Sequence, residues 1–303
     1  MKKILLFSFA VIIIPYIIVN VFIRNDKITF NFSSSSVVRV YRNSSGTIDE
    51  VPIEEYVLGV LAGEMPIEFE LEALKAQAVA ARSYVMTQME RNVSKDYDVV
   101  DTVMNQVYLD NNYLMSVWKN SYTDNINKIK TAVLSTKGEY ISYDNKVAEA
   151  LFFSTSPGKT ENSEDVFLNK VAYLRSVDSS WDKISPVFES KKVMTLINFY
   201  NLLGLAYSDS LNIQVISTTD TGRIKMIKIN EKEFSGNDIC SILGLRSTYF
   251  EIVKSDNSVT IYNKGYGHGV GMSQYGAEGM AKDGYNYQEI LKHYYQGVEI
   301  KKF

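Results

Sequence analysis

The sequence predicts an α+β fold: a single extracytoplasmic mixed helix/sheet domain with an α+β insertion, preceded by one N-terminal transmembrane helix. Three observations predict it. Apolar residues recur at helical spacing over 52–62 and again over 70–90. From residue 37 onward, short alternating runs are separated by Asn, Asp and Gly turns. Ile4–Ile23 is a run of twenty residues without a charge, long enough to cross a bilayer as a helix. The division that follows is a cytoplasmic tip over 1–3, an anchor over 4–23, a polar linker over 24–36 containing Ser33–Ser36, and a domain over 37–303. Residues 181–258 form an intervening α+β segment within that domain.

The anchor is justified by its flanks. Met1-Lys2-Lys3 is basic, which keeps the N-terminus in the cytoplasm and sends the rest outside. A cleaved signal peptide is the alternative. Against it, the apolar run is long, and Arg24-Asn25-Asp26-Lys27 follows without an Ala-x-Ala site. The 303 residues are 46% apolar and 22% charged, an ordinary globular composition. A net charge of −3 gives no sign of a nucleic-acid partner. The single Cys, Cys240, excludes an internal disulfide framework and reads as a small buried apolar residue.

Within the domain, Val37–Tyr41 reads as a strand and Asn43–Gly46 as a turn. Ile53, Tyr56, Val57, Val60 and Leu61 mark a short helix; Leu71, Leu74, Ala78, Ala81, Val85 and Met89 mark a longer one. Pro66 separates them, because it cannot donate a backbone hydrogen bond and pushes Met65 out of the helical region. Gly63 loosens the chain just before. A polar-aromatic stretch follows at Asn105-Gln106-Val107-Tyr108, then a helix over 121–136 closing near Gly138. A strand over Glu139–Tyr143 turns at Asp144-Asn145, and a strand over Val147–Phe153 comes next. The insertion holds a helix over 196–203, a hairpin of Ile213–Ile216 with Ile224–Ile229, a short helix over 237–243, and a strand over Tyr249–Val253. An amphipathic helix capped by Asn286, with Glu289 three residues later, closes the chain near Gly297.

The run Gly63-Glu64-Met65-Pro66 offers one acidic side chain, Glu64, at a backbone break. Glu64 reads as a catalytic acid, around which the chain would build a sugar-binding groove. The end of the first helix would raise its pKa and the start of the second would lower it; the sequence leaves that balance open. The second helix is rich in small residues (Ala73, Ala76, Ala78, Ala80, Ala81), the mark of a buried central helix. It also carries Gln77, Arg82 and Tyr84. A buried Arg needs an acidic partner or a ligand, so Arg82 is either structural or functional. Ser154, Ser156 and Glu161 lie in Ser154-Thr155-Ser156-Pro157-Gly158-Lys159-Thr160-Glu161-Asn162. This is a turn by composition, and its hydroxyls and amide also suit sugar hydroxyls and N-acetyl groups. His268 sits in Gly265-Tyr266-Gly267-His268-Gly269-Val270-Gly271, followed by Met272-Ser273-Gln274-Tyr275. The glycines exclude a normal packed strand, fit no dinucleotide pattern, and permit close backbone approach.

Three blocks carry a resemblance: Gly63-Glu64-Met65-Pro66 with Ala73–Tyr84, the hydroxyl-rich run through Thr160-Glu161-Asn162, and Gly267-His268-Gly269-Val270-Gly271-Met272-Ser273-Gln274. Together they resemble the stage II sporulation protein D family, to which the amidase enhancers also belong, over nearly all of 37–303. The resemblance implies lytic transglycosylase activity on peptidoglycan, with Glu64 catalytic and Arg82 a needed active-site partner. It implies substrate-binding roles for Gln77, Tyr84, Gln106, Tyr108, Ser154, Ser156, Glu161, His268, Ser273, Gln274 and Tyr275. It further implies glycan strands without stem peptides as substrate, action during forespore engulfment, and a membrane complex with stage II sporulation proteins P and M. Some relatives hold a zinc through Cys and His near the hydroxyl-rich run. Here Phe153, Ser154 and Ser156 stand there and no second Cys exists, so no metal and no cofactor are expected. Two other readings stay open: a non-catalytic cell-wall binder or amidase enhancer, and a hydrolase that leaves a reducing sugar.

Overall fold

The computed structural model describes residues 36–303. The expected cytoplasmic tip, the anchor over 4–23 and the linker up to Ser35 lie outside the described residues. Among the described residues no helix is long and apolar enough to cross a membrane.

The chain begins with β1 (Val37–Arg42) and β2 (Thr47–Pro52), then α1 (Ile53–Glu64) and α2 (Leu71–Arg91). There follow β3 (Val99–Val100), α3 (Asn111–Trp118), α4 (Tyr122–Ser135), β4 (Glu139–Tyr143), β5 (Lys146–Val147), β6 (Phe152–Phe153) and α5 (Ser163–Val166). The insertion supplies β7 (Glu189–Thr195), α6 (Leu196–Leu203), β8 (Ile213–Thr218), β9 (Ile224–Ile229), β10 (Lys232–Ser235), α7 (Gly236–Leu243), β11 (Phe250–Ser255) and β12 (Ser258–Lys264). The chain ends with β13 (Met272–Ser273), α8 (Gln274–Lys282), α9 (Tyr287–Tyr294) and β14 (Glu299–Lys302).

Helix α2 is the centre. Its alanines at 73, 76, 78, 80 and 81 are all fully buried, and their small side chains let α1, α4, α8, α9 and β4 pack close around it. Small sheets wrap this bundle in the orders β2-β1-β3 and β14-β4-β5. The insertion has its own core of Leu196, Phe199, Tyr200, Ile227, Ile229, Ile239 and Ile261, closed by the sheets β10-β9-β8 and β11-β12-β7. That core extends past the expected boundary at 258, because Val259 and Ile261 of β12 turn inward at alternate positions.

The helix boundaries agree closely with the apolar periodicity, and the Asn286/Glu289 capping box is present. The single strand expected over Val147–Phe153 is a correction. Leu151 N donates to Glu149 O at 3.1 Å, a tight turn that ends pairing beside β4. The chain then joins a different sheet, where β6 runs parallel to β13 with Phe152 opposite Met272. Strands β2, β3, β7, β10, β12, β13 and β14 and helices α3, α5 and α8 carry no sequence expectation above. Cys240 is half-buried rather than buried, with its thiol directed to Ser247 O at 3.0 Å.

Candidate active site

Glu64 is the last residue of α1, and Met65 takes an extended conformation (φ −117°, ψ 135°) as Pro66 requires. Gly63 does more than loosen the chain. It lies within the helix, and a Cβ there would stand 2.6 Å from Val107 O; at Gly59, one turn earlier, a Cβ would meet the Tyr108 ring at 2.4 Å. The two glycines let residues 105–109 lie directly on the α1 backbone. That contact delivers the Val107 N–H to Glu64 Oε1 at 2.7 Å.

From the other side the Gln274 side chain stands near the same carboxyl, although its Nε2 completes no hydrogen bond. The Val107 N–H and the nearby Gln274 amide favour the charged form, but burial outweighs them and pushes the Glu64 pKa up. No charged side chain is among the groups acting on it. Glu64 is half-buried, so the carboxyl keeps a route to solvent. Burial, rather than either helix end, thus sets the direction of the shift, which is upward.

Gln274 opens α8, whose start is anchored by contacts distant in sequence. Ser273 caps the helix, Tyr275 N donates to Ser154 O at 3.0 Å, and the Tyr275 ring packs edge-on to Phe69 at 5.0 Å. Glu64, Ser154, Gln274 and Tyr275 are therefore brought together. His268 stands further along the same ribbon. Its Nε2 bonds Phe152 O at 3.0 Å and its Nδ1 accepts from Val270 N at 3.1 Å. Burial and the nearby Arg223 push its pKa down to about 4, so the ring is neutral at physiological pH.

Other expected site residues are placed in the interior. Arg82 is fully buried: Nε and Nη2 bond the two Glu54 oxygens at 3.0 and 2.6 Å, and Nη1 bonds Glu139 O at 2.9 Å. All three nitrogens are engaged in this buried network, and none bonds Glu64. Gln106 is fully buried between Tyr56 OH and Ala81 O. Tyr108 stacks on Tyr56 at 5.3 Å, and Tyr84 is buried with its hydroxyl accepting from Asn105. Gln77 is fully buried and neither amide atom has a hydrogen-bond partner. Ser156, Glu161 and Ser273 are likewise buried. All of these side chains are buried; Arg82, Tyr84, Gln106, Ser156 and Ser273 spend hydrogen bonds within the protein, while Gln77 makes none.

Asp182 is the residue that sequence reasoning missed. It is fully buried and accepts from Ser156 N (2.9 Å), Ser179 Oγ (2.5 Å) and Ser273 Oγ, tying the hydroxyl-rich loop to the start of α8. Burial pushes its carboxyl from 3.8 up to about 6. A pKa raised on folding contributes stability at low pH that is lost as pH climbs through the folded value. From the ordinary value to about 6, that loss is roughly 3 kcal/mol. Asp182→Asn is expected to flatten the fall in unfolding free energy between pH 4 and pH 7, measured by urea titration at each pH. Parallel profiles for the two proteins would reject the assignment.

The stage II sporulation protein family matches residues 41–143, the stretch that holds Glu64 and its Val107 partner. Over 271 residues the chain is 45% identical to stage II sporulation protein D of Bacillus amyloliquefaciens, covering 88% of this chain and 78% of that protein. The chain belongs to the stage II sporulation protein D family. The protein of the same name from Bacillus subtilis (strain 168) is 42% identical over 270 residues, covering 88% of this chain and 79% of its own. A more distant family relative is the amidase enhancer of Bacillus subtilis, 29% identical over 300 residues, which span 81% of this chain and 40% of that protein. The family expected from the three motif blocks is thus the family found.

Proposed function

We propose that this family member is a lytic transglycosylase, anchored in the cell membrane with its domain outside the cytoplasm. It cleaves the bond between N-acetylmuramic acid and N-acetylglucosamine in peptidoglycan strands stripped of stem peptides. The observation that carries this reading is the Glu64 carboxyl: half-buried, raised in pKa, held by Val107 N beside Gln274, and acted on by no second carboxylate. An ordinary glycosidase pairs two carboxyl groups, about 5 Å apart when retaining and farther when inverting. A transglycosylase manages with one because its nucleophile is internal. Protonated Glu64 gives its proton to the glycosidic oxygen, and the C1–O bond breaks toward an oxocarbenium-like state. The carboxylate left behind takes the proton from the muramoyl C6 hydroxyl as that oxygen closes onto C1. The product is a 1,6-anhydro ring, and Glu64 ends protonated.

Action during forespore engulfment, in a complex with stage II sporulation proteins P and M, belongs to the same proposal and rests on family membership. The test is the mass of the products from stripped glycan strands. A transglycosylase yields ends one water lighter than a hydrolase does; reducing ends of full mass would overturn the reading. The likeness to a protein named amidase enhancer favours a second reading, a wall-binding protein without cleavage. It predicts strand binding with no new ends at all.

A further inference from the structure

Asp182 lies on a short 3₁₀ turn, Ser180–Ile184, packed against α8. Its Oδ1 accepts from Ser156 N at 2.9 Å and from the Ser273 hydroxyl. Its Oδ2 accepts from Ser179 Oγ, which meets Tyr294 Oη at 2.7 Å. A Cβ at Gly276 would stand 2.9 Å from Asp182 Oδ2, so the glycine there lets the carboxyl lie on the first turn of α8. A carboxylate at a helix start is favoured by the helix dipole. Ser273 is the cap of that helix, and its Oγ also accepts from Gly276 N at 3.4 Å.

The same helix reaches the Glu64 corner at three places. The Gln274 side chain stands near the Glu64 carboxyl, the Tyr275 ring packs edge-on to Phe69 at 5.0 Å, and Glu278 Oε2 accepts from Glu70 N at 2.6 Å. Phe69 and Glu70 belong to the short stretch between Glu64 and α2. One nine-residue helix therefore has Asp182 at its start and the Glu64 corner along its side. We propose that ionised Asp182 is a positioning residue for Glu64, acting through the Ser273 cap to set the first turn of α8 against the Glu64 corner. This role rests on the glycan-cleaving reading above and deepens it, because it gives that site a second ionisation that controls it.

The Ser273 hydroxyl has two acceptors within reach, Asp182 Oδ1 and Ser154 O, the latter at 3.3 Å. Ionised Asp182 holds the hydroxyl hydrogen by a charge-assisted bond, about twice as strong as a neutral one. Protonation removes that advantage and frees the hydroxyl to turn to Ser154 O, which already accepts from Tyr275 N at 3.0 Å. The start of α8, and Gln274 with it, is then held less firmly. Charged groups on the surrounding elements are engaged elsewhere: Glu278 pairs with Lys282 at 3.0 Å, Asp283 accepts from Trp181 Nε1 at 2.7 Å, His293 Nε2 meets Asp178 O at 2.7 Å, and Asp178 accepts from Ser180 Oγ at 2.8 Å. Lys183, on the same turn, is exposed. None of them is among the groups acting on the Asp182 carboxyl, and Tyr294, which faces it through Ser179, is kept protonated by burial. The reaction then needs Glu64 with its proton and Asp182 without one. Cleavage rises as pH climbs through about 6, where Asp182 ionises, and falls where Glu64 ionises, a bell-shaped profile.

The first test follows the Val107 amide, the partner of Glu64, by ¹⁵N NMR in the full chain carrying Glu64→Gln, where position 64 no longer titrates. Its resonance is expected to move with a midpoint at about pH 6. Asp182→Asn abolishes the movement. The new side chain still accepts from Ser156 N and Ser273 through its oxygen and donates to Ser179 through its amide, so the fold holds, with circular dichroism as the check. Ser273→Ala keeps the carboxyl but cuts its tie to α8, and it abolishes the movement too. The second test is kinetic, in chains that keep Glu64. Asp182→Asn lowers kcat for strand cleavage about tenfold to a hundredfold, the range for a displaced reacting group, and removes the acid limb of the profile. KM stays within about twofold, because Asp182 touches no sugar. A merely structural role would lower activity at every pH in step with the folded fraction and leave the limb in place. A Val107 resonance that stays still over about pH 4.5–7.5, or one that still moves in Ser273→Ala, overturns the role. So does a cleavage profile that Asp182→Asn leaves unchanged. If no chain cleaves strands, movement of Val107 leaves the positioning role standing and removes the catalytic reading; cleavage with a still Val107 does the reverse.

Discussion

Glu64→Gln is expected to lower release of anhydro-muramoyl ends by about 10²–10⁴-fold, the range for loss of a positioned general acid. Gln is isosteric, and its side-chain oxygen can still accept from Val107 N, which holds Glu64 Oε1 at 2.7 Å in the native chain. The fold should therefore persist, with an unfolding midpoint equal to or above that of the parent, because a half-buried ionisable group has been removed. The pH dependence has a definite sign. Burial raises the Glu64 pKa, so the proton donor survives to higher pH than an ordinary carboxyl would, and cleavage falls as pH rises through that value. Undiminished product from Glu64→Gln would end the assignment.

The second large effect concerns stability. Arg82→Ala would leave the Glu54 carboxyl, 1% exposed, with only the Gly138 N–H at 3.0 Å. Removing one member of a buried ion pair costs about 3–5 kcal/mol, a large part of the total stability of a domain. Replacing both partners by apolar residues, as Glu54→Leu with Arg82→Met, is expected to cost much less than Arg82→Ala alone, because no charge is left stranded. Denaturant titrations of the three chains measure this. If Arg82→Ala kept its stability but lost cleavage, Arg82 would return to the active site.

How far the site was legible depended on the distance between partners. The helix–Pro–helix break, the Ala-rich centre and the Asn286 cap are local patterns, and they appear in the structure with boundaries within two residues. Gly59 and Gly63, four apart on one face of α1, were the available sign that a backbone segment lies against that helix, but they do not say which one. The segment is 105–109, about forty residues on. Asp182 gave no sign: in Ser179-Ser180-Trp181-Asp182 it looks like any surface acid. Only its burial against Ser156, Ser179 and Ser273 shows that it ties two loops together.

By itself the sequence determined where α1, α2, α4, α6, α7 and α9 form, where the backbone must leave the helical region after Glu64, and to which family the motif blocks belong. These follow from backbone sterics, apolar spacing and residue identity along one stretch of chain. The tertiary structure alone decided that the Arg82 charge is spent on Glu54, that Val107 and Gln274 flank Glu64, and that its pKa moves upward. Desolvation and charge pairing are set by which remote segments meet in space, and no local pattern carries that information.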